Sequence, residues 1–295
     1  MSAVAATTRA PKSVNANAAW LIALVGYAVM YAPVYWSAAH GLWQTDENGH
    51  GPLVLAVVIW LFWNLRQPVA NAVHDPAPLV GWPVFGFGLL AYAMGRAFDI
   101  SSLEFISQIF VVAGGLLLMK GASALKVAWF AVAYLIFLVP LPATLVDAMT
   151  GPLKQWISVI VQRVLYAVGY PIANSGVILT IGQYQLMVAD ACSGLNSMFS
   201  LSALGTLFMY VMKRKSPWHN AIMLASILPI AFAANIVRVI LLVLLTYHLG
   251  DEAGQGFLHG AAGIVLMLIA LASFFALDAL LSRLFRHFGA PTPRR

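Results

Sequence analysis

The chain is dominated by apolar runs too long and too poor in charge for a soluble surface. Eight of them occupy about residues 19–38, 52–65, 79–97, 104–119, 124–141, 194–212, 218–248 and 257–285. A helix that crosses the hydrocarbon core needs about 20 apolar residues. In lipid it must also satisfy its backbone polar groups within itself. Hydrophobic residues make up 61% of the chain and charged residues 9%, against about 25% charged in a soluble domain. These runs predict an all-α polytopic membrane protein with about eight transmembrane helices. The run at 52–65 is short for a span, and the last two are long. With no internal repeat or low-complexity segment, residues 1–295 read as one membrane-embedded domain. Residues 1–18 read as a polar cytoplasmic tail rather than a cleaved signal.

The net charge is +6, but the basic residues form short clusters between apolar runs, with no basic stripe. That pattern is membrane topology, and no nucleic-acid partner is expected. With the N-terminus in the cytoplasm, the inner loops receive Arg9, Lys12, Arg66, Lys120, Lys126, Lys213, Arg214, Lys215, Arg283, Arg286, Arg294 and Arg295, twelve of the sixteen basic residues. Both termini are therefore expected inside. The outer side receives Asp46, Glu47, Asp99, Glu104, Asp147, Asp190, Asp251 and Glu252, with Arg96 and Lys154 near them.

Residues 142–193 do not read as a simple span. Leu153, Trp156, Ile157, Ile160, Val161, Val164, Leu165 and Val168 recur at helical spacing, with Lys154, Gln155, Ser158, Gln162, Arg163 and Tyr166 on the other side. The pattern reads as a helix in the outer interface or packed against the bundle, within an external interfacial segment, with an ordinary tilted core helix as the alternative. "GVILTIGQYQLMV" follows, in which Gly182-Gln183 separates two β-prone runs. A Gly-X pair there predicts a small hairpin with a type II′ turn. The hairpin leads to "ADACSGLNS" and the start of the sixth span.

That stretch holds the only cysteine, Cys192. One reading is a small buried hydrophobe. The other is a thiol at a helix start, where unpaired N–H groups and the helix dipole favour the thiolate, with Asp190 or a neighbour as cap. Arg238 interrupts the seventh run, with Asn235 one turn earlier on the same face. An Arg in hydrocarbon costs at least about 2.5 kcal/mol and usually faces a polar cavity. Either it points into an outward-facing cavity or it ties the bundle together through backbone carbonyls. No intramembrane acid is read as available to pair with it. His40, His50, His248 and His259 fall on the outer side. His259 opens the eighth span and His248 is its rival as a base. A histidine at a helix end can equally be a capping or solvated residue. Cys192, Arg238 and His259 lie towards one face on three consecutive spans, and a Cys–His pair with a cation is a nucleophile arrangement.

"ACSG" at 191–194, "NIVR" at 235–238 and "HGAAG" at 259–263 resemble the three signature blocks of the exosortase/archaeosortase family. The final His, in place of a second Arg, is similar to the bacterial exosortases rather than the archaeal members, and the chain length looks most like the exosortase B type. This resemblance implies a membrane cysteine transpeptidase (a cysteine protease, or hydrolase, in its first half-reaction) in a bacterial inner membrane, with its active site facing the periplasm. Its partners would be exported proteins with a C-terminal sorting signal: a Pro-Glu-Pro motif, a transmembrane helix and a basic tail (PEP-CTERM). An acceptor linked to lipid or polysaccharide would take the product, which connects the family to exopolysaccharide. Carried over, Cys192 is the nucleophile, His259 the acid/base and Arg238 the charge-stabilising residue, with Asn235, Asp190 and Asn196 supporting. No cofactor or metal is implied. The alternative is a transporter or export component of a polysaccharide pathway, which should show discontinuous helices in related halves.

Overall fold

The computed structural model describes residues 16–45, 48–187, 194–214, 216–250 and 257–288. Each of the eight apolar runs is helical over most of its length. The helices are α1 (Ala16–His40), α2 (Gly51–Ala70), α3 (Pro78–Phe98), α4 (Ser101–Met119), α5 (Ala122–Tyr134), α6 (Ala143–Ala167), α7 (Gly194–Met212), α8 (Pro217–Leu249) and α9 (Phe257–Phe288). Among the described residues, six helices are long and apolar enough to cross a membrane: α1 to α4, α8 and α9. The other two runs give shorter apolar helices, Ala122–Leu138 and Phe199–Met212. The short run at 52–65 belongs to a 20-residue helix. A proline opens it, where a missing N–H costs nothing. Arg66 extends it with its guanidinium 3.9 Å from the centre of the Trp63 ring.

The α3–α4 hairpin is set by glycine. Gly81, Gly88 and Gly95 recur every seven residues on α3 and oppose Leu118, Val111 and Glu104 on α4. A Cβ at Gly88 would come within 2.8 Å of the Val111 backbone nitrogen. The helices thus touch backbone to backbone, as small residues permit in membranes. α1 joins this pair through a tyrosine ladder. Tyr31 and Ser107 hydroxyls are 2.7 Å apart, and Tyr27 and Tyr35 donate to Gln108 Oε1 at 3.1 and 2.5 Å. At the opposite end of the hairpin, Gly121 (φ +99°) lets the Asp75 carbonyl approach where a Cβ would sit.

α5 runs antiparallel to α7. Phe130 stacks on Tyr210 and the Tyr134 hydroxyl donates to the Ala203 carbonyl. The Ser102 hydroxyl at the start of α4 donates to the Pro140 carbonyl beyond α5. The starts of α4 and α7 and the end of α5 therefore share one face of the bundle, called the upper face below.

α6 packs on the bundle by a narrow stripe. Ile157, Val161 and Leu165 are buried with Val239 and Val243 of α8. Trp156, Val164 and Val168 of the expected apolar side are exposed, while Ser158 of the expected polar side is fully buried. The buried stripe is therefore narrower than the apolar pattern and rotated away from it.

The expected hairpin is present as β2 (Ile178–Ile181) and β3 (Tyr184–Met187). Gly182 takes φ +57° and Gln183 keeps a negative φ, as a type II′ turn requires. A further strand, β1 (Ile172–Ser175), pairs antiparallel with β2 through a second Gly-X turn at Gly176-Val177. Its sequence, IANS, lacks the β-branched and aromatic enrichment that marks strands. Ile172, Leu179 and Ile181 bury one face of the sheet against α6 and α8.

Gly88→Ala adds a methyl where no space exists, an overpacking cost of about 1–3 kcal/mol. A Cβ at Gly86, on the same helix, would meet nothing within 4 Å. Thermal unfolding in detergent should show a clear loss for Gly88→Ala and none for Gly86→Ala.

Candidate functional site

α8 lies between α7 and α9, and its buried stripe runs from His219 through Ile227 and Ala231 to Thr246. Arg238 and Asn235 lie on that stripe at 4% and 2% exposure. The shared face expected from their spacing is thus a buried one. Arg238 is the only Lys, Arg, Asp or Glu in the 33 residues of α8.

A level mark relates the three last helices. A Cβ on Gly205 of α7 would meet Ile227 of α8 and Phe274 of α9, each at 2.9 Å. From that level, Gly194 is eleven residues back along α7 and Arg238 eleven residues on along α8. At about 1.5 Å per residue both stand about 16 Å towards the upper face. The backbone of His259, the third residue of α9, stands about 22 Å up by the same rise. At the depth of Arg238, therefore, α7 begins, while α9 begins about 9 Å higher and α8 runs on to Leu249.

Cys192 and Asp190 lie outside the described residues. α7 begins at Gly194, two positions after Cys192. Asn196 and His259 are placed as helix residues of α7 and α9, and their side chains are outside the description.

The rival histidines have structural surroundings. His248 Nε2 and the Tyr170 hydroxyl are 3.2 Å apart. Tyr170, Tyr247 and His248 rings pack edge to face and close the sheet onto the end of α8. His40 Nδ1 is 2.9 Å from the Trp36 carbonyl of its own helix. Burial lowers the His50 imidazole pKa, opposed by its bond to the Phe137 backbone. Among the described residues no group of three or more His, Cys, Asp or Glu could hold a metal ion.

An intramembrane acid does exist, against the expectation from sequence. Asp278 is a buried residue of α9. Arg214 Nε donates to its Oδ1 at 3.0 Å, Arg214 Nη2 bonds its Oδ2, and His219 Nε2 lies 2.8 Å from Oδ1. It sits four residues below the level mark and Arg238 eleven above it, so about 22 Å separates them along the bundle. Asp278 is therefore committed to the lower face and does not neutralise Arg238. Its signal in the sequence was a lone acid in "FFALDALL" at the same end as "KRK".

The profile of the transmembrane exosortase family matches residues 42–276, well over half of the chain. The chain belongs to the transmembrane exosortase family. Members are membrane sorting enzymes of the transpeptidase type, and the matched region contains Cys192, Arg238 and His259. No curated protein and no solved structure matches the chain.

Asp278→Asn removes the charge that Arg214 and His219 share and leaves the upper face untouched. Unfolding in detergent should show a loss of about 1–3 kcal/mol, the cost of weakening the acceptor of the buried His219, since the exposed Arg214 can turn to water. Activity per folded molecule should stay at the parent level.

Proposed function

We propose that this exosortase is a cysteine transpeptidase of the exosortase B type. It would cleave exported proteins at a C-terminal sorting signal made of a Pro-Glu-Pro motif, a transmembrane helix and a basic tail. The observation that carries the reading is a buried arginine at the depth where α7 begins, two residues after the single cysteine. A permanent cation in hydrocarbon is costly. It repays that cost where negative charge must be held, whether thiolate or oxyanion.

In the proposed reaction the Cys192 thiolate attacks the scissile carbonyl carbon, and the tetrahedral oxyanion is stabilised by the fixed charge of Arg238. The C–N bond breaks as protonated His259 gives its proton to the leaving amine. A thioester remains on Cys192. His259, now neutral, takes the proton of an acceptor nucleophile linked to lipid or polysaccharide. That nucleophile attacks the thioester, the C–S bond breaks, and the thiolate and protonated His259 are restored. Asn235 would orient Arg238 from one turn below, and Asp190 and Asn196 would support the start of α7. His248, His40 and His50 have structural partners or are buried, which favours His259 as the base.

In this reading residues 1–295 form one membrane domain with both termini in the cytoplasm. The upper face is periplasmic in a bacterial inner membrane, and residues 142–193 form an external interfacial segment. A reporter fused after Lys215 should then read cytoplasmic and one inserted near Gly182 external, and both on one side would break the topology.

Cleavage of a tagged sorting-signal substrate in vivo, at matched abundance, tests the chemistry. Cys192→Ser should abolish processing. Arg238→Lys should lose most of it, because the planar fork is lost though the charge remains. His259→Ala should fall by about 10² to 10⁴, the usual share of general acid–base catalysis, and His248→Ala should be mild. Loss in His248→Ala with activity kept in His259→Ala would reverse the base assignment.

A further inference from the structure

The sheet ends five residues before Cys192 and carries no charged residue between Ile172 and Met187. Natural proteins blunt exposed strand edges with charge, proline or a covering element. Among the described residues the order is β1-β2-β3, so β1 and β3 are both edges.

The direction of each backbone group follows from the register. The Gly182 N–H bonds the Pro171 carbonyl at 3.3 Å, so the even-numbered residues of β2 face β1. Alternation in an antiparallel ladder turns Leu179 and Ile181 towards β3, where their partners are Leu186 and Tyr184. The N–H and C=O groups of Gln185 and Met187 therefore point away from the sheet, along the free edge of β3. Both side chains are exposed. Tyr184 and Leu186 pack inward against the cluster that includes Val239 and Val243 of α8, so the strand is anchored.

We propose that the free edge of β3 binds an extended segment of the protein substrate as a fourth strand, through the backbone groups of Gln185 and Met187. The partner is a polypeptide in β conformation, read mainly by its backbone. Continuity favours β3 over β1, because β3 is the strand that leads directly into the cysteine. This inference rests on the reading of Cys192 as nucleophile. Only five residues of chain lead from Met187, the end of this strand, to Cys192, so a substrate held on this edge is held close along the chain to the proposed nucleophile.

Proline substitution tests the edge because it deletes one N–H and is tolerated on an edge strand whose N–H faces outward. Gln185→Pro and Asn174→Pro delete outward N–H groups on opposite edges of the same sheet. Full-length protein in detergent is assayed with a synthetic sorting-signal peptide, alongside Cys192→Ser. Gln185→Pro should raise KM about five- to tenfold, the worth of one backbone hydrogen bond, with kcat nearly kept, and Asn174→Pro should leave both unchanged. An unchanged KM in Gln185→Pro, or the larger effect in Asn174→Pro, overturns the inference. If Gln185→Pro does not accumulate, peptides N-methylated at single positions decide on the parent enzyme. Losses at every second amide support the edge, and no periodicity overturns it. Activity retained by Cys192→Ser would instead overturn the underlying reading, independently of the edge.

Discussion

A guanidinium buried in an apolar helix is the constraint around which the second half of this protein is arranged. Arg238 is the single fixed charge in α8 and is almost wholly withdrawn from the surface. A charge at that depth needs polar company. α7 begins at the depth of Arg238, and α9 begins about 9 Å above it. The sheet and α6 then seal α8 from the side through Ile157, Val161, Leu179 and Ile181. The fold thus holds a charge still in a place where it is expensive, as the proposed reaction requires of a group that stabilises an oxyanion.

The lower half of the bundle fixes that geometry. Gly205 brings α7 against Ile227 and Phe274, so the three helices keep a common level. Below it, Asp278 ties α9 to Arg214 and His219 at the loop between α7 and α8. The first half is held differently, by the glycine contacts of α3 with α4 and by the tyrosine ladder of α1. It meets the second half through Phe130 on Tyr210 and Tyr134 on Ala203.

The span pattern was legible because hydrophobic length is a local property, and so was the β2–β3 turn, because Gly182 alone supplies the positive φ. Asn235 and Arg238 were legible as one face from their spacing of three. What escaped depends on pairing across distance. Asp278 finds partners some sixty residues away, and no local pattern shows that they meet. Strand β1 owes its existence to the neighbour it pairs with rather than to IANS itself. Ser158 is buried because α8 covers it, although its own helix pattern puts it on the polar side. The family motifs pointed to Cys192 and His259, whose side chains lie outside the described structure, so the site rests on Arg238, Asn235 and the helix ends around them.

The central claim is that a covalent bond forms between substrate and Cys192. Intact-protein and peptide mass spectrometry of the enzyme, quenched in acid during turnover of a sorting-signal peptide, tests it most directly. An adduct of the substrate's N-terminal fragment is expected on the peptide containing Cys192, released by neutral hydroxylamine as a thioester is. Turnover without any adduct on that peptide, or an adduct on another residue, would contradict it.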